Sequence, residues 1–140
     1  MSEPRTGGCL CGAVRFAVAG PLGGEAGTIT VCHCAMCRLA GGLGVAVVPT
    51  TAAGFEVTAG AELVREYESS PGKRRAFCSN CGAGLYSRRD DRPDALRLRL
   101  GALDSSADLR IGAHIHTERA PAWSLGDDAP RYPGVEPGRR

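Results

Sequence analysis

A mainly β fold, built of short antiparallel strands and tight turns, follows from three features of the sequence. Glycine and proline are dense, at 20 and 9 of 140 residues, where the two together average about 12%. Both disfavour a helix interior, by about 1 kcal/mol for Gly and about 3 for Pro, which argues against a helical bundle. The apolar residues recur with period two rather than 3.6. And seven cysteines stand in three tight groups, the pattern of turns that close on a metal ion.

The strands can be taken in order. Ala13–Val18 puts Val14, Phe16 and Val18 on one face and Arg15 and Ala17 on the other. Thr28–Cys32 sets Ile29 and Val31 against Thr28, Thr30 and Cys32. Leu43–Val48 is a run of small apolar and β-branched residues. Phe55–Thr58 and Glu62–Tyr67, divided by Ala59-Gly60-Ala61, predict a hairpin. Ala95–Leu100 alternates most clearly, with Leu96, Leu98 and Leu100 inward and Arg97 and Arg99 outward. Ile111–His116 places Ile111, Ala113 and Ile115 opposite Gly112, His114 and His116. Helix is confined to one turn after Cys37 and one over Ser105–Leu109, capped by Asp104 or Ser105. The pattern predicts a single domain over residues 1–140, its core spanning about 7–132. The Pro/Gly-rich segment from Asp127 follows, with 133–140 loosely ordered.

Composition narrows the partners. Hydrophobic residues make up 43% and charged residues 23%, with a net charge of +2. That field is too weak to favour nucleic acid or an anionic membrane. Arg74-Arg75 and Arg88-Arg89 are only short pairs. No apolar stretch approaches the ~20 residues that span a bilayer, and Met1–Gly7 has no apolar signal core. The expectation is a soluble, cytoplasmic protein. In a reducing cytosol, seven thiols mean metal ligands or catalytic groups rather than disulfides. Sixteen of the 17 basic residues are arginine, Lys73 being the one lysine, and no function is read from that bias.

The cysteine groups are Cys9-Leu10-Cys11, Cys32-His33-Cys34-Ala35-Met36-Cys37 and Cys78-Ser79-Asn80-Cys81-Gly82. A CxxC turn brings two thiolates onto one Zn²⁺, and Gly82 can take the positive φ such a turn demands. On an extended segment, residues i and i+2 of a CxC pair point to one side. Seven thiols make one closed four-sulfur site and one three-sulfur site. Structural zinc sites are closed, whereas catalytic ones keep an open position. Spacing assigns Cys32, Cys34 and Cys37 to the open site, and Cys9, Cys11, Cys78 and Cys81 to the closed one. Two zinc ions per chain are expected. The alternative is that a histidine fills the fourth position. His33 points away from its flanking cysteines, but His114 or His116, on one strand face, can reach.

The same residues carry a family resemblance. Gly7–Phe16, Cys32–Arg38 with Gly41-Gly42, Phe77–Gly82 with Leu85-Tyr86, and Ala120–Trp123 resemble the glutathione-dependent formaldehyde-activating family, or centromere-protein-V domain. Tyr67, Ser69, Ser70, Gly72, Lys73, Gly101, Leu103-Asp104 and His114-Ile115 extend the match from about Gly7 to Tyr132. The resemblance implies the Mss4-like (β-tent) fold. It also implies structural zinc on Cys9, Cys11, Cys78 and Cys81, and catalytic zinc on Cys32, Cys34 and Cys37. The implied activity is condensation of glutathione with formaldehyde to S-hydroxymethylglutathione, a carbon–sulfur lyase-type reaction.

Charge arithmetic points independently to thiol chemistry. Zinc with three thiolates is electron-rich and suits water activation less well than a His₃ site. It does suit a fourth thiol, whose free pKa of about 8.5 keeps it mostly protonated at neutral pH. The expected partners are therefore a small-molecule thiol and a small electrophile, with no nucleic acid and no membrane. Arg38 and the backbone of Gly41-Gly42 are candidates to balance the added charge, or else a surface arginine and a loop turn. Trp123 either walls a pocket or packs at the core or rim, and His114 either relays a proton or makes a structural hydrogen bond. The rival class is a zinc-stabilised binding module of the same fold with no chemistry. Oligomeric state is not legible in the sequence.

Overall fold

In a computed structural model, which describes residues 3–23, 28–124 and 126–139, ten strands form two sheets. The smaller sheet holds β1 (Arg5–Gly8), β2 (Arg15–Val18) and β5 (Phe55–Ala59) in the order β1-β2-β5, all antiparallel. The larger sheet adds β3 (Thr28–Cys32), β4 (Val45–Thr51), β6 (Val64–Ser70), β7 (Lys73–Cys78), β8 (Gly84–Arg89), β9 (Ala95–Arg99) and β10 (Arg110–Ile115). Its order is β10-β3-β4-β9-β8-β7-β6. Every pairing is antiparallel except β10 with β3, which is parallel. The α-helix α1 spans Ala35–Gly41. The mainly β expectation holds.

The period-two reading holds best where one face meets the core. Val14, Phe16 and Val18 are each 1% exposed. With Leu22, Val48, Leu98 and Leu103, the last two of these strand residues form the principal apolar cluster, where the sheets face each other. Phe55 sits 5.2 Å from both Phe16 and Tyr86, ring to ring. The other two clusters are small and each surrounds cysteines. Val14 and Leu85 pack with Cys78, and Val45 and Val47 pack with Cys37.

Three expectations are corrected. Phe55–Thr58 and Glu62–Tyr67 do not pair with each other. β5 joins β2, while β6 joins β7 in the other sheet. Gly60, at φ 74°, lies so close to Ala13 that a Cβ would stand 2.2 Å from its carbonyl oxygen, and the chain then turns through Ala61–Leu63 into the second sheet. Ser105–Leu109 forms a turn closed by Leu109 N–H to the Ser106 carbonyl, not a helix. β10 lies at a sheet edge, so Ile111 is 54% exposed and only Ile115 is partly buried. Trp123 is 58% exposed and does not line the cavity beside Cys32, Cys34 and Cys37.

β1, β7 and β8 were not read from the sequence. Among the described residues, no helix is long and apolar enough to cross a membrane.

Candidate metal centres and the basic cavity

Cys9 directly follows β1 and Cys11 sits in the turn that Gly12 N–H closes on the Cys9 carbonyl. The pair therefore converges through a turn, not through the extended segment expected from the CxC spacing. Cys78 ends β7, and Cys81 lies in the β7–β8 turn. Gly82 there adopts φ 78° and donates to the Cys78 carbonyl at 2.7 Å, as the knuckle requires. The four sulfur atoms all lie within 4.8 Å of one another. Cys9 and Cys11 Sγ are 3.5 Å apart, and Cys11 and Cys78 Sγ 4.0 Å. A tetrahedron with metal–sulfur bonds near 2.3 Å has sulfur–sulfur edges of about 3.8 Å. Those measured spacings bracket that edge, so the four residues fit a tetrahedral metal ion.

Hydrogen-bond donors oppose burial and lower the Cys9 and Cys81 thiols, whereas the Cys78 thiol is raised. Val14 N–H reaches Cys9 Sγ at 3.2 Å, and the Asn80 side-chain amide reaches Cys11 Sγ at 3.2 Å. Backbone N–H groups, Ala83 first and then Cys11, push the Cys81 thiol down to about 6.

The second group forms where β3 runs into α1. Cys32 ends the strand, and Cys34 caps the helix, accepting the Cys37 N–H at 3.4 Å. Against the opposing pull of burial, that hydrogen bond lowers the Cys34 thiol, while burial pushes Cys32 up to about 12. Cys32, Cys34 and Cys37 also bring their sulfurs within 4.8 Å of one another. His33 turns away, as its position between two converging cysteines predicts. It is buried, and its Nε2 lies 2.8 Å from His114 Nδ1. Neither histidine belongs to the cysteine group. The pairing places His114 in a hydrogen bond with His33.

Each group packs partly against an apolar cluster, and what differs is the cavity beside it. Of the four-sulfur group only Cys9 borders an open cleft of about 440 Å³, whereas Cys32, Cys34 and Cys37 all border a cavity of about 350 Å³. Met36, Val45, Val47 and Ile115 line its apolar side. Its other wall is the basic face of β7, β8 and β9, carrying Lys73, Arg75, Arg89, Arg97 and Arg99. Arg75 Nη2 lies 3.5 Å from Cys37 Sγ, and its Nε donates to Ser69 Oγ at 3.1 Å. Burial first, and then the neighbouring guanidinium groups of Arg97 and Arg75, lower the Lys73 ammonium from its ordinary range. Burial and Arg75 lower Arg99 likewise.

Sequence reasoning named the seven cysteines but not this wall. Arg97 and Arg99 were read only as the outward face of a strand, and Lys73 only as part of a resemblance. The available signal was alternation across three basic strands. Arg38 and Gly41-Gly42, the candidates for charge balance, do not line the cavity. Gly42 instead caps α1, at φ 88°, with its N–H on the Arg38 carbonyl.

Comparisons with known proteins cover the same stretch. The model of a family described as glutathione-dependent formaldehyde-activating enzyme matches residues 4–119. A Halomonas elongata protein, provisionally named a glutathione-dependent formaldehyde-activating enzyme, is 34% identical over 127 residues, covering 84% of this chain and 77% of its own. A crystal structure of a Rhodobacter sphaeroides protein superposes with a TM-score of 0.62 at 24% identity, covering 76% of this chain and 98% of its own. It shares the fold.

Proposed function

Because the chain belongs to the glutathione-dependent formaldehyde-activating enzyme family, we propose that it adds a low-molecular-weight thiol to formaldehyde or another small electrophile, or cleaves such an adduct. The reaction class is that of a carbon–sulfur lyase. In this reading Cys9, Cys11, Cys78 and Cys81 hold a structural zinc, and Cys32, Cys34 and Cys37 hold a catalytic one. The observation that carries it is the second group's position: three convergent sulfurs at the edge of a 350 Å³ cavity. A set of four sulfurs fills a tetrahedral ion and leaves no position for a small molecule.

Zinc bound there would supply one thing, a lowered pKa for a thiol brought to it. The chain's own residues do the rest. Val45, Val47 and Ile115 keep one side of the cavity dry, which strengthens the field of the opposite wall. Arg75 donates toward Cys37 Sγ and places its positive charge beside that sulfur. The cations of β7 and β9 oppose the charge that grows as sulfur attacks and the carbonyl oxygen becomes an alkoxide. Addition forms one carbon–sulfur bond and transfers the thiol proton to that oxygen. It requires no oxidant or reductant.

Exchange NMR of formaldehyde with a panel of small thiols, with and without protein, tests the reading. Accelerated exchange is expected, lost in Cys34→Ser while the four-sulfur site keeps its zinc by native mass spectrometry. No acceleration with any thiol overturns the proposed activity and leaves a zinc-stabilised binding module.

A further inference from the structure

The His33–His114 pair takes no part in the proposed thiol chemistry. His33 is 3% exposed, and its Nδ1 is buried without a hydrogen-bond partner. Its Nε2 lies 2.8 Å from His114 Nδ1. The ring centres are 5.1 Å apart and the planes are inclined by 28°. With nitrogens so much closer than centres, the rings meet edge to edge, where ring hydrogens and lone pairs point, and not face to face. Such a bond needs a hydrogen on one nitrogen and a lone pair on the other. The orphaned Nδ1 decides which. A hydrogen there would be a buried donor with no acceptor, which native structures rarely tolerate. A Cβ on Gly44 would stand 3.3 Å from that nitrogen, so a Cα hydrogen of Gly44 lies on its side and suits a lone pair better than a second hydrogen. His33 therefore carries its hydrogen on Nε2 and donates it to His114 Nδ1.

This bond ties the three-cysteine segment to a strand with little else to hold it. β10 is an edge of the larger sheet, with β3 as its neighbour. Arg110–His114 are exposed and Ile115 is half-buried. His33 clasps the end of β10 twice, through its N–H on the Ile115 carbonyl at 3.0 Å and through its ring on His114. The register sets Ile115 opposite Cys32. The chain then turns through His116, at φ 56° the one non-glycine residue with positive φ among those described. Ile115 and His116 both line the cavity beside the three sulfurs. We propose that His33 and His114 are positioning residues. Their hydrogen bond latches the end of β10 across the Cys32–Cys34 arc, and so fixes the spread of those two sulfurs and the Ile115–His116 rim of the cavity. The consequence for metal rests on the proposed zinc at Cys32, Cys34 and Cys37; the bond and its direction do not.

Nitrogen-15 NMR of the histidine rings, hydrogen exchange at the His33 amide and zinc transfer to a chelator test this on the zinc-loaded protein. The ring shifts of His33 should show hydrogen on Nε2 and a bare Nδ1. This is read on the wild type, so the inference can fail without any variant. His114→Asn keeps an acceptor where Nδ1 stood, whereas His114→Leu keeps bulk and removes the acceptor. His114 is exposed, so both should fold, and the thermal midpoint checks them. His114→Leu should speed exchange of the His33 amide about tenfold, the size of one hydrogen bond. Zinc should leave the three-sulfur site faster by about the same factor, with the four-sulfur zinc unaffected. His114→Asn should restore most of both losses. Hydrogen on His33 Nδ1 overturns the inference. So does a His114→Leu protein that behaves as wild type, because packing alone then suffices, or a His114→Asn protein as loose as His114→Leu. If the wild type holds one zinc but shows the stated ring hydrogen and amide exchange pattern, the latch stands and the catalytic zinc falls. The same pattern without accelerated formaldehyde exchange keeps the latch and removes the proposed reaction instead.

Discussion

Cys78→Ser should unfold the protein. Cys78 is fully buried, and its apolar cluster contributes only two other fully buried side chains, Val14 and Leu85. At about 1.5–3 kcal/mol for each buried aliphatic side chain, those two supply roughly 3–6 kcal/mol before chain entropy is counted. A structural zinc supplies far more, about 10–16 kcal/mol in small domains that fold around it. Whole-protein stability is only about 5–15 kcal/mol. Serine preserves the size of the side chain but is a poor ligand, and its hydroxyl is left buried at a cost of about 1–3 kcal/mol. The expected loss therefore matches or exceeds the entire stability. Guanidinium titration followed by circular dichroism, with zinc stoichiometry from native mass spectrometry, measures it. A soluble Cys78→Ser protein that keeps two zinc ions and the wild-type midpoint would refute the assignment of the four cysteines to a structural site.

Two further outcomes concern stability away from the cysteines. Leu98 is completely buried where the two sheets meet, so Leu98→Ala should cost about 2–5 kcal/mol; a loss below 1 kcal/mol by chemical denaturation would show that the sheets do not pack there as described. Arg88, whose Nε lies 2.7 Å from Glu66 Oε2, holds the Glu66 carboxyl below the usual carboxylate range. A depressed folded-state pKa adds stability above the unfolded value that is lost as pH falls through the folded one. Glu66→Gln should accordingly be less stable than wild type by about 0.5–1 kcal/mol at neutral pH, and the gap should close as pH drops below 4.5. A gap that stays constant from pH 7 to pH 3 contradicts the pairing.

The legible parts of the sequence were those governed by one local rule. Val14, Phe16 and Val18 alternate because one face is buried, and all three proved fully buried. The cysteine grouping needed only chelate spacing, and the two clusters converge as divided. β7 and β8 were hidden because Lys73-Arg74-Arg75 and Arg88-Arg89 place cations on both faces, which erases a hydrophobic alternation. The false hairpin had the right turn residues, yet Gly60 was needed for its close approach to Ala13 rather than to return a strand. β10 alternates correctly, but an edge strand has no layer to face. The cavity wall was the least legible feature. It is assembled from β7, β8 and β9, and only their register brings Lys73, Arg97 and Arg99 to one face.

The proposed four-sulfur zinc site would also impose an order of events on a growing chain. Its ligands come from two stretches, with Cys11 and Cys78 separated by 67 residues. At about 5–20 residues per second of synthesis, 67 residues correspond to roughly 3–13 s. During that time Cys9 and Cys11 are made but their partners are not, while Cys32, Cys34 and Cys37 emerge in between. Those three are the nearest available sulfurs, and a tetrahedral ion accepts any four thiolates. Under the zinc assignment, correct assembly would depend on ligand exchange being faster than misfolding, or on metal arriving after Cys81 is made. The arrangement that ties the two sheets together is, for a nascent chain, a problem of timing.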